Sequence, residues 1–171
     1  MNMYTVLDYL NKKDSLQDKL NLLFNENFED TYFNRQKCVE RLKSDYDECG
    51  NIIVAFDFDD TVAKSDPNYD CSGVINLLRI CSELQFIMIC FTARANSKDI
   101  DDVKDTLDKL GIKCDYVNED YWKVKEKWKI EVPHKVFYNI FLDDSSGLKE
   151  SYEILKEFIK WFLNKDIKEV I

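Results

Sequence analysis

Several things are scarce in this chain. Glycine and proline number four and two in 171 residues, and the single histidine is His134. There is no internal repeat and no low-complexity linker. None of the six cysteines (Cys38, Cys49, Cys71, Cys81, Cys90, Cys114) forms a Cys-x-x-Cys pair, which argues against a zinc site. No apolar run approaches the roughly 20 residues that span a bilayer. Residues Met1 to Leu10 lack the basic region and apolar run of a secretory signal. Basic residues are outnumbered, 24 against 33 acids, for a net charge of -9. That balance argues against a general affinity for the nucleic-acid backbone and leaves room only for a local basic groove. These absences predict a soluble protein of a reducing, cytoplasmic compartment, with no membrane partner.

What is present suffices for a sizeable core: 45% of residues are hydrophobic and 13% aromatic. One stretch organises the rest. Ile52-Ile53-Val54-Ala55-Phe56 runs straight into Asp57-Phe58-Asp59-Asp60-Thr61-Val62. A continuous apolar run rich in β-branched residues predicts a strand buried on both faces of a parallel sheet. Acids at its carboxyl end lie where open α/β sheets bind ligands. Crowded carboxylates repel one another unless a cation joins them. An Asp-rich turn is the plainer alternative. The site reading is preferred, because Asp143-Asp144 ends a second apolar run.

Residues 1–50 read as a helical extension without a chemical motif, either packed on the core or serving as an oligomer contact or partial lid. Within it, Phe33, Cys38, Leu42 and Tyr46 are spaced for a helix that stops at Gly50. Residues 51–171 then alternate. A strand over 52–58 is followed by a polar connector and a helix carrying Val74, Leu77, Leu78 and Cys81. Phe86 to Phe91 forms a second strand, ending at Thr92. A helix capped by Ser97 carries Ile100, Val103, Leu107 and Leu110, with Gly111 closing it. Strands over 113–117 and 136–142 follow, and Gly147 opens a final helix carrying Leu148, Tyr152, Leu155, Ile159 and Phe162. Residues 118–134 are irregular, and their Tyr121, Trp122 and Trp128 suit packing better than stacking on a base. Such alternation predicts an α/β fold, a Rossmann-like parallel sheet flanked by helices.

That topology gathers Asp57, Asp59, Thr92, Lys135, Asp143 and Asp144 along one sheet edge. Asp57 and Asp59 share a face, because side chains alternate along an extended chain. The hard oxygen donors suit Mg²⁺, which accepts a few carboxylates and keeps several waters.

With these residues in place, the chain resembles the haloacid dehalogenase (HAD) superfamily of phosphohydrolases. Asp57-Phe58-Asp59-Asp60-Thr61-Val62 matches the first motif, Asp-x-Asp-x-Thr after an apolar strand. Thr92 matches the second, Lys135 the third, and Asp143-Asp144 the fourth. The words Phe91-Thr92-Ala93-Arg94 and Tyr138 to Asp144 look closest to small phage-type members. The resemblance implies that Asp57 is the nucleophile and Asp59 the general acid and base. It implies Mg²⁺ held by Asp57, Asp59 through its carbonyl, Asp144 and Asp143. Thr92 and Lys135 would bind the phosphoryl oxygens, and Arg94 a second anionic group. The short intervals between motifs imply a member with a minimal cap. The substrate would be a phosphorylated molecule, a nucleotide or nucleic-acid end phosphate first. A sugar or protein phosphate, or a non-catalytic role in regulation or assembly, is the alternative. Two residues depart from the pattern: Asp60 stands where Gly is common, and Ser145 where close relatives often have Arg.

Overall fold

The computed structural model describes residues 34–119 and 136–169. Helices expected before residue 34 therefore lie outside the described residues, as do Tyr121, Trp122, Trp128, His134 and Lys135. Two compact units divide the chain, Met1–Asn34 and Arg35–Ile171. The unit that holds the sheet also includes the helix of residues 35–49.

Within that unit the order is α1 (Arg35–Cys49), β1 (Ile53–Asp57), α2 (Ser72–Glu83), β2 (Ile87–Phe91), α3 (Ser97–Lys109), β3 (Tyr116–Val117), β4 (Ile140–Leu142) and α4 (Leu148–Glu169). The four strands form one sheet in the order β3-β2-β1-β4. Every pairing is parallel, with Val54 opposite both Met88 and Ile140. This is the α/β sheet with flanking helices that the alternation predicts. Among the described residues, no helix is long and apolar enough to cross a membrane.

Pleating sorts the apolar residues of each strand onto two faces. Val54, Phe56, Met88, Cys90, Ile140 and Leu142 join the larger core, together with buried residues of all four described helices. Ile53, Ala55 and Ile89 form a smaller cluster with Phe91, Tyr116 and Phe141 packed against it. The helical spacing read from sequence holds in α2, where Val74, Leu77, Leu78 and Cys81 are the buried residues. Burial pushes the Cys81 thiol up to about 12, as suits a small core residue. The ends of α1 and α4 are tied by aromatic contacts, with Tyr46 and Phe162 ring centroids 5.0 Å apart, and by a 2.6 Å ion pair from Lys165 to Asp47. Gly50 stops α1 in a left-handed conformation (φ +73°), where its N–H donates to the Tyr46 carbonyl at 2.7 Å.

Three of the boundaries that differ from those read in the sequence do so for a clear local reason. The cap of α3 is Asn96 rather than Ser97, because the Asn96 side chain accepts from the Asp99 N–H at 2.9 Å. The fourth strand begins at Ile140 rather than residue 136. At its start the Asn139 side-chain oxygen accepts from the Ile53 N–H at 2.7 Å and takes the place of a ladder carbonyl. The third strand is likewise cut short at its start: Asp115 accepts from the Met88 N–H at 2.8 Å through its carboxylate. In both edge strands a polar side chain competes with the backbone and ends regular pairing.

Candidate active site at the carboxyl edge

The strand order has a consequence for ligands. From β1 the chain goes to β2 on one side and later returns to β4 on the other, so the order reverses between β1 and β4. Ligands of open α/β sheets bind outside the strand carboxyl ends at such a point. The acids singled out from sequence flank it. Asp57 is the last residue of β1, and Asp143 and Asp144 follow directly after β4.

Beyond Asp57 the backbone makes a tight turn. The Val62 and Ala63 N–H groups both donate to the Phe58 carbonyl, at 3.0 and 2.9 Å, and the Asp60 N–H donates to the Ala63 carbonyl at 2.7 Å. Asp60 sits in the left-handed region (φ +59°), a conformation that Asp tolerates better than most side chains. Its carboxylate accepts from Ser65, from the N–H at 2.7 Å and the hydroxyl at 2.8 Å. Those bonds hold Asp60 below the usual carboxylate range. The unexpected acid of the motif is thus engaged with its own loop.

Asp57 behaves differently. Burial, first, and then repulsion from Asp143, Asp144 and Asp59 raise its carboxyl above the ordinary value, against the lowering effect of the Phe58 N–H. The Asp57 carboxylate therefore senses three others at this edge. Asp143 accepts from the Ser145 N–H at 2.8 Å, and Asp144 accepts from the Ser145 hydroxyl at 3.2 Å. Asp59 is paired with Arg94, whose Nη2 donates at 2.7 Å. Thr92 lies just past β2, and its Oγ1 accepts from the Arg94 N–H at 3.2 Å, which leaves the hydroxyl proton to donate elsewhere. The structure brings Asp57, Asp59, Asp143 and Asp144 into one electrostatic neighbourhood. Arg94 and Thr92 join it through Asp59 and through each other. Lys135 lies outside the described residues.

Two residues that no sequence argument marked as organisers hold this edge together. Thr61 is fully buried. Its Oγ1 accepts from the Asp144 N–H at 3.0 Å and lies 3.4 Å from the Asp144 carboxylate, tying the turn after β1 to the end of β4. Its place in Asp-x-Asp-x-Thr was visible, but its partner was not. Asn118, left-handed at φ +55°, does the same between β3 and β2. Its side-chain oxygen accepts from the Thr92 N–H, and its Nδ2 donates to the Thr92 and Arg94 carbonyls. An Asn directly after a short apolar strand was the one available signal.

The donors at this edge are all hard carboxylate and carbonyl oxygens, the chemistry that Mg²⁺ or Ca²⁺ takes. As the side chains stand, no group of three or more His, Cys, Asp or Glu among the described residues is gathered closely enough to hold a metal ion. Mg²⁺ requires less than that, since it keeps several waters and uses one or two carboxylates.

A cavity of about 300 Å³ opens elsewhere, at the amino-terminal edge, beside Gln85, Phe86, Ile87 and Lys113. Two of its polar side chains serve the fold. The Ser82 hydroxyl both donates to the Lys113 carbonyl and accepts from the Lys113 N–H, and Asp115 is used by Met88. The clustered acids stand on the opposite edge. No protein-family model matches the chain, and no curated protein or solved structure matches it.

Proposed function

We propose that the chain is a Mg²⁺-dependent phosphohydrolase of the haloacid dehalogenase type, working through an aspartyl-phosphate. The observation that carries this reading is the meeting of Asp57, Asp59, Asp143 and Asp144 at the β1/β4 reversal, with Asp57 raised by burial first and then by its acidic neighbours. In this reading an Asp57 oxygen attacks phosphorus. The bond from phosphorus to the ester oxygen breaks as the bond to Asp57 forms. Asp59 gives a proton to the departing alcohol. It then takes one from the water that releases inorganic phosphate and restores Asp57. Thr92 donates its hydroxyl proton to a phosphoryl oxygen, and Lys135 supplies the positive charge there. Asp57, the Asp59 carbonyl and Asp144 would hold Mg²⁺, with Asp143 holding one of its waters, and the ion would supply charge to offset repulsion between the carboxylate and the phosphate dianion.

Between Asp57 and Thr92 lie only the connector, α2 and β2, so no cap domain is inserted there. Asp144 and Ser145 are exposed, and Asp59 is half exposed. An edge this open suits a nucleotide or the terminal phosphate of a nucleic acid. The buried thiols of Cys81 and Cys90 suit a reducing compartment.

The test is hydrolysis of an aryl phosphate with and without Mg²⁺, by wild type and Asp57→Asn. A panel of nucleotides, end-phosphorylated oligonucleotides, sugar phosphates and phosphopeptides then ranks the substrates. Mg²⁺-dependent turnover that the variant lacks supports the reading. Equal rates for both proteins across the whole panel would remove it and leave a non-catalytic role.

A further inference from the structure

Arg94 is held at several points, and every one of them belongs to the site or its supports. Its Nη2 donates to one Asp59 oxygen at 2.7 Å, and its Nε approaches the other at 3.4 Å. The guanidinium carbon lies 4.9 Å from the centroid of the Phe58 ring, within the range of a cation–π contact. Its N–H donates to Thr92 Oγ1 at 3.2 Å, and its carbonyl accepts from Asn118 Nδ2 at 3.2 Å.

Such a set of contacts contributes little to folding. The Arg94 and Asp59 side chains are 39% and 48% exposed, so solvent screens the pair. What the contacts do is restrict geometry. Asp59 stands in a turn, and a short carboxylate there has several rotamers open to it. Phe58 is buried, and its ring face gives the guanidinium a fixed surface to rest against. The guanidinium then fixes the carboxylate by its two-pronged approach. Lysine, a point charge without a plane, cannot reproduce both contacts.

We propose that Arg94 is a positioning residue that orients the Asp59 carboxylate, and that it is not a ligand of the substrate's anionic groups. The proposal rests on the reading of Asp59 as acid and base in phosphate-ester hydrolysis. It leaves anion binding to Thr92 and Lys135.

The experiment compares wild type, Arg94→Ala, Arg94→Lys and Asp59→Asn. In Arg94→Ala, kcat on an aryl phosphate falls about 10–100-fold, the scale of a misplaced catalytic group, while KM stays within about twofold. Added guanidinium ion restores part of the lost rate, and Arg94→Lys restores less. Calorimetry with inorganic phosphate and Mg²⁺ gives the same dissociation constant for wild type and Arg94→Ala. By NMR, the Arg94 Nε–H resonance shifts in Asp59→Asn and stays in place when phosphate is titrated into wild type. A tenfold weaker phosphate affinity in Arg94→Ala, or an Nε–H resonance that follows phosphate, would make Arg94 an anion ligand and overturn the proposal. Unchanged kcat in Arg94→Ala would also overturn it. If wild type turns over no substrate, the hydrolase reading falls by itself. The phosphate affinity and the Nε–H resonance still decide whether Arg94 serves Asp59 or an anion.

Discussion

The two edges of the sheet spend their polar groups in opposite ways. At the amino-terminal edge the polar groups are matched. Asn139 accepts from the Ile53 N–H and donates to Asp45 at 2.9 Å, while Arg41 donates to the Asn139 carbonyl at 2.7 Å and to Asp45 at 3.1 Å. Asn51 accepts from the Ile52 N–H and donates to the Gln85 carbonyl. At the carboxyl edge like charges are brought together, and Asp57 is raised by burial and then by three acidic neighbours. A fold gains nothing from such repulsion, and active sites are where charge of one sign is tolerated in this way. The edge with the cavity ties its polar groups into the fold, and the edge with the conflict is the one we propose for chemistry.

That contrast is sharpest in Asp57→Asn. Hydrolysis should fall by about 10³-fold or more, since the variant lacks the attacking carboxylate. Steady-state rates with an aryl phosphate measure this. Thr61→Val should show both kinds of loss. It leaves the Asp144 N–H without its acceptor, which costs about 1–3 kcal/mol by denaturant unfolding, and it lowers kcat by freeing the acidic pair. Asn139→Ala, on the other edge, should cost about 1–2 kcal/mol and leave kcat unchanged. A large loss of activity in Asn139→Ala would break the division between the edges.

Smaller effects come from titration. Asp57 has a folded-state value above its unfolded one, so the folded protein binds this proton more tightly. Its ionisation therefore costs stability, and the cost appears as pH rises through the ordinary carboxylate range into the raised value. Asp57→Asn should melt higher than wild type at neutral pH, with the gain fading as the solution is acidified through that window. Asp60 has the opposite sign. Its contribution is present above the ordinary carboxylate value and is lost as pH falls through the lowered one. Asp60→Gly should remove that contribution while keeping the left-handed turn and leaving kcat unchanged, the smallest effect of the set. Melting curves across acid pH read both.

Much of this arrangement was legible in the sequence. Continuous apolar runs marked the strands, and acids or Thr at their ends marked the edge, because burial on two faces and a topological reversal leave distinct traces. What remained hidden were partnerships between residues far apart in the chain. Thr61 with Asp144, Asn118 with Thr92, and Arg94 with Asp59 are set by strand order, which no local pattern encodes. The starts of β3 and β4 were misjudged for a related reason. Asp115 and Asn139 look like strand or loop residues until a neighbouring N–H selects their side chains over their carbonyls.

The central claim is that Asp57 takes the phosphoryl group. A crystal soaked with Mg²⁺ and a metal-fluoride mimic of phosphate tests it most directly. Density for the mimic bonded to an Asp57 carboxylate oxygen is expected, with Thr92 donating to one of its fluorines. A mimic bound elsewhere, or no density at Asp57 under saturating conditions, would contradict it.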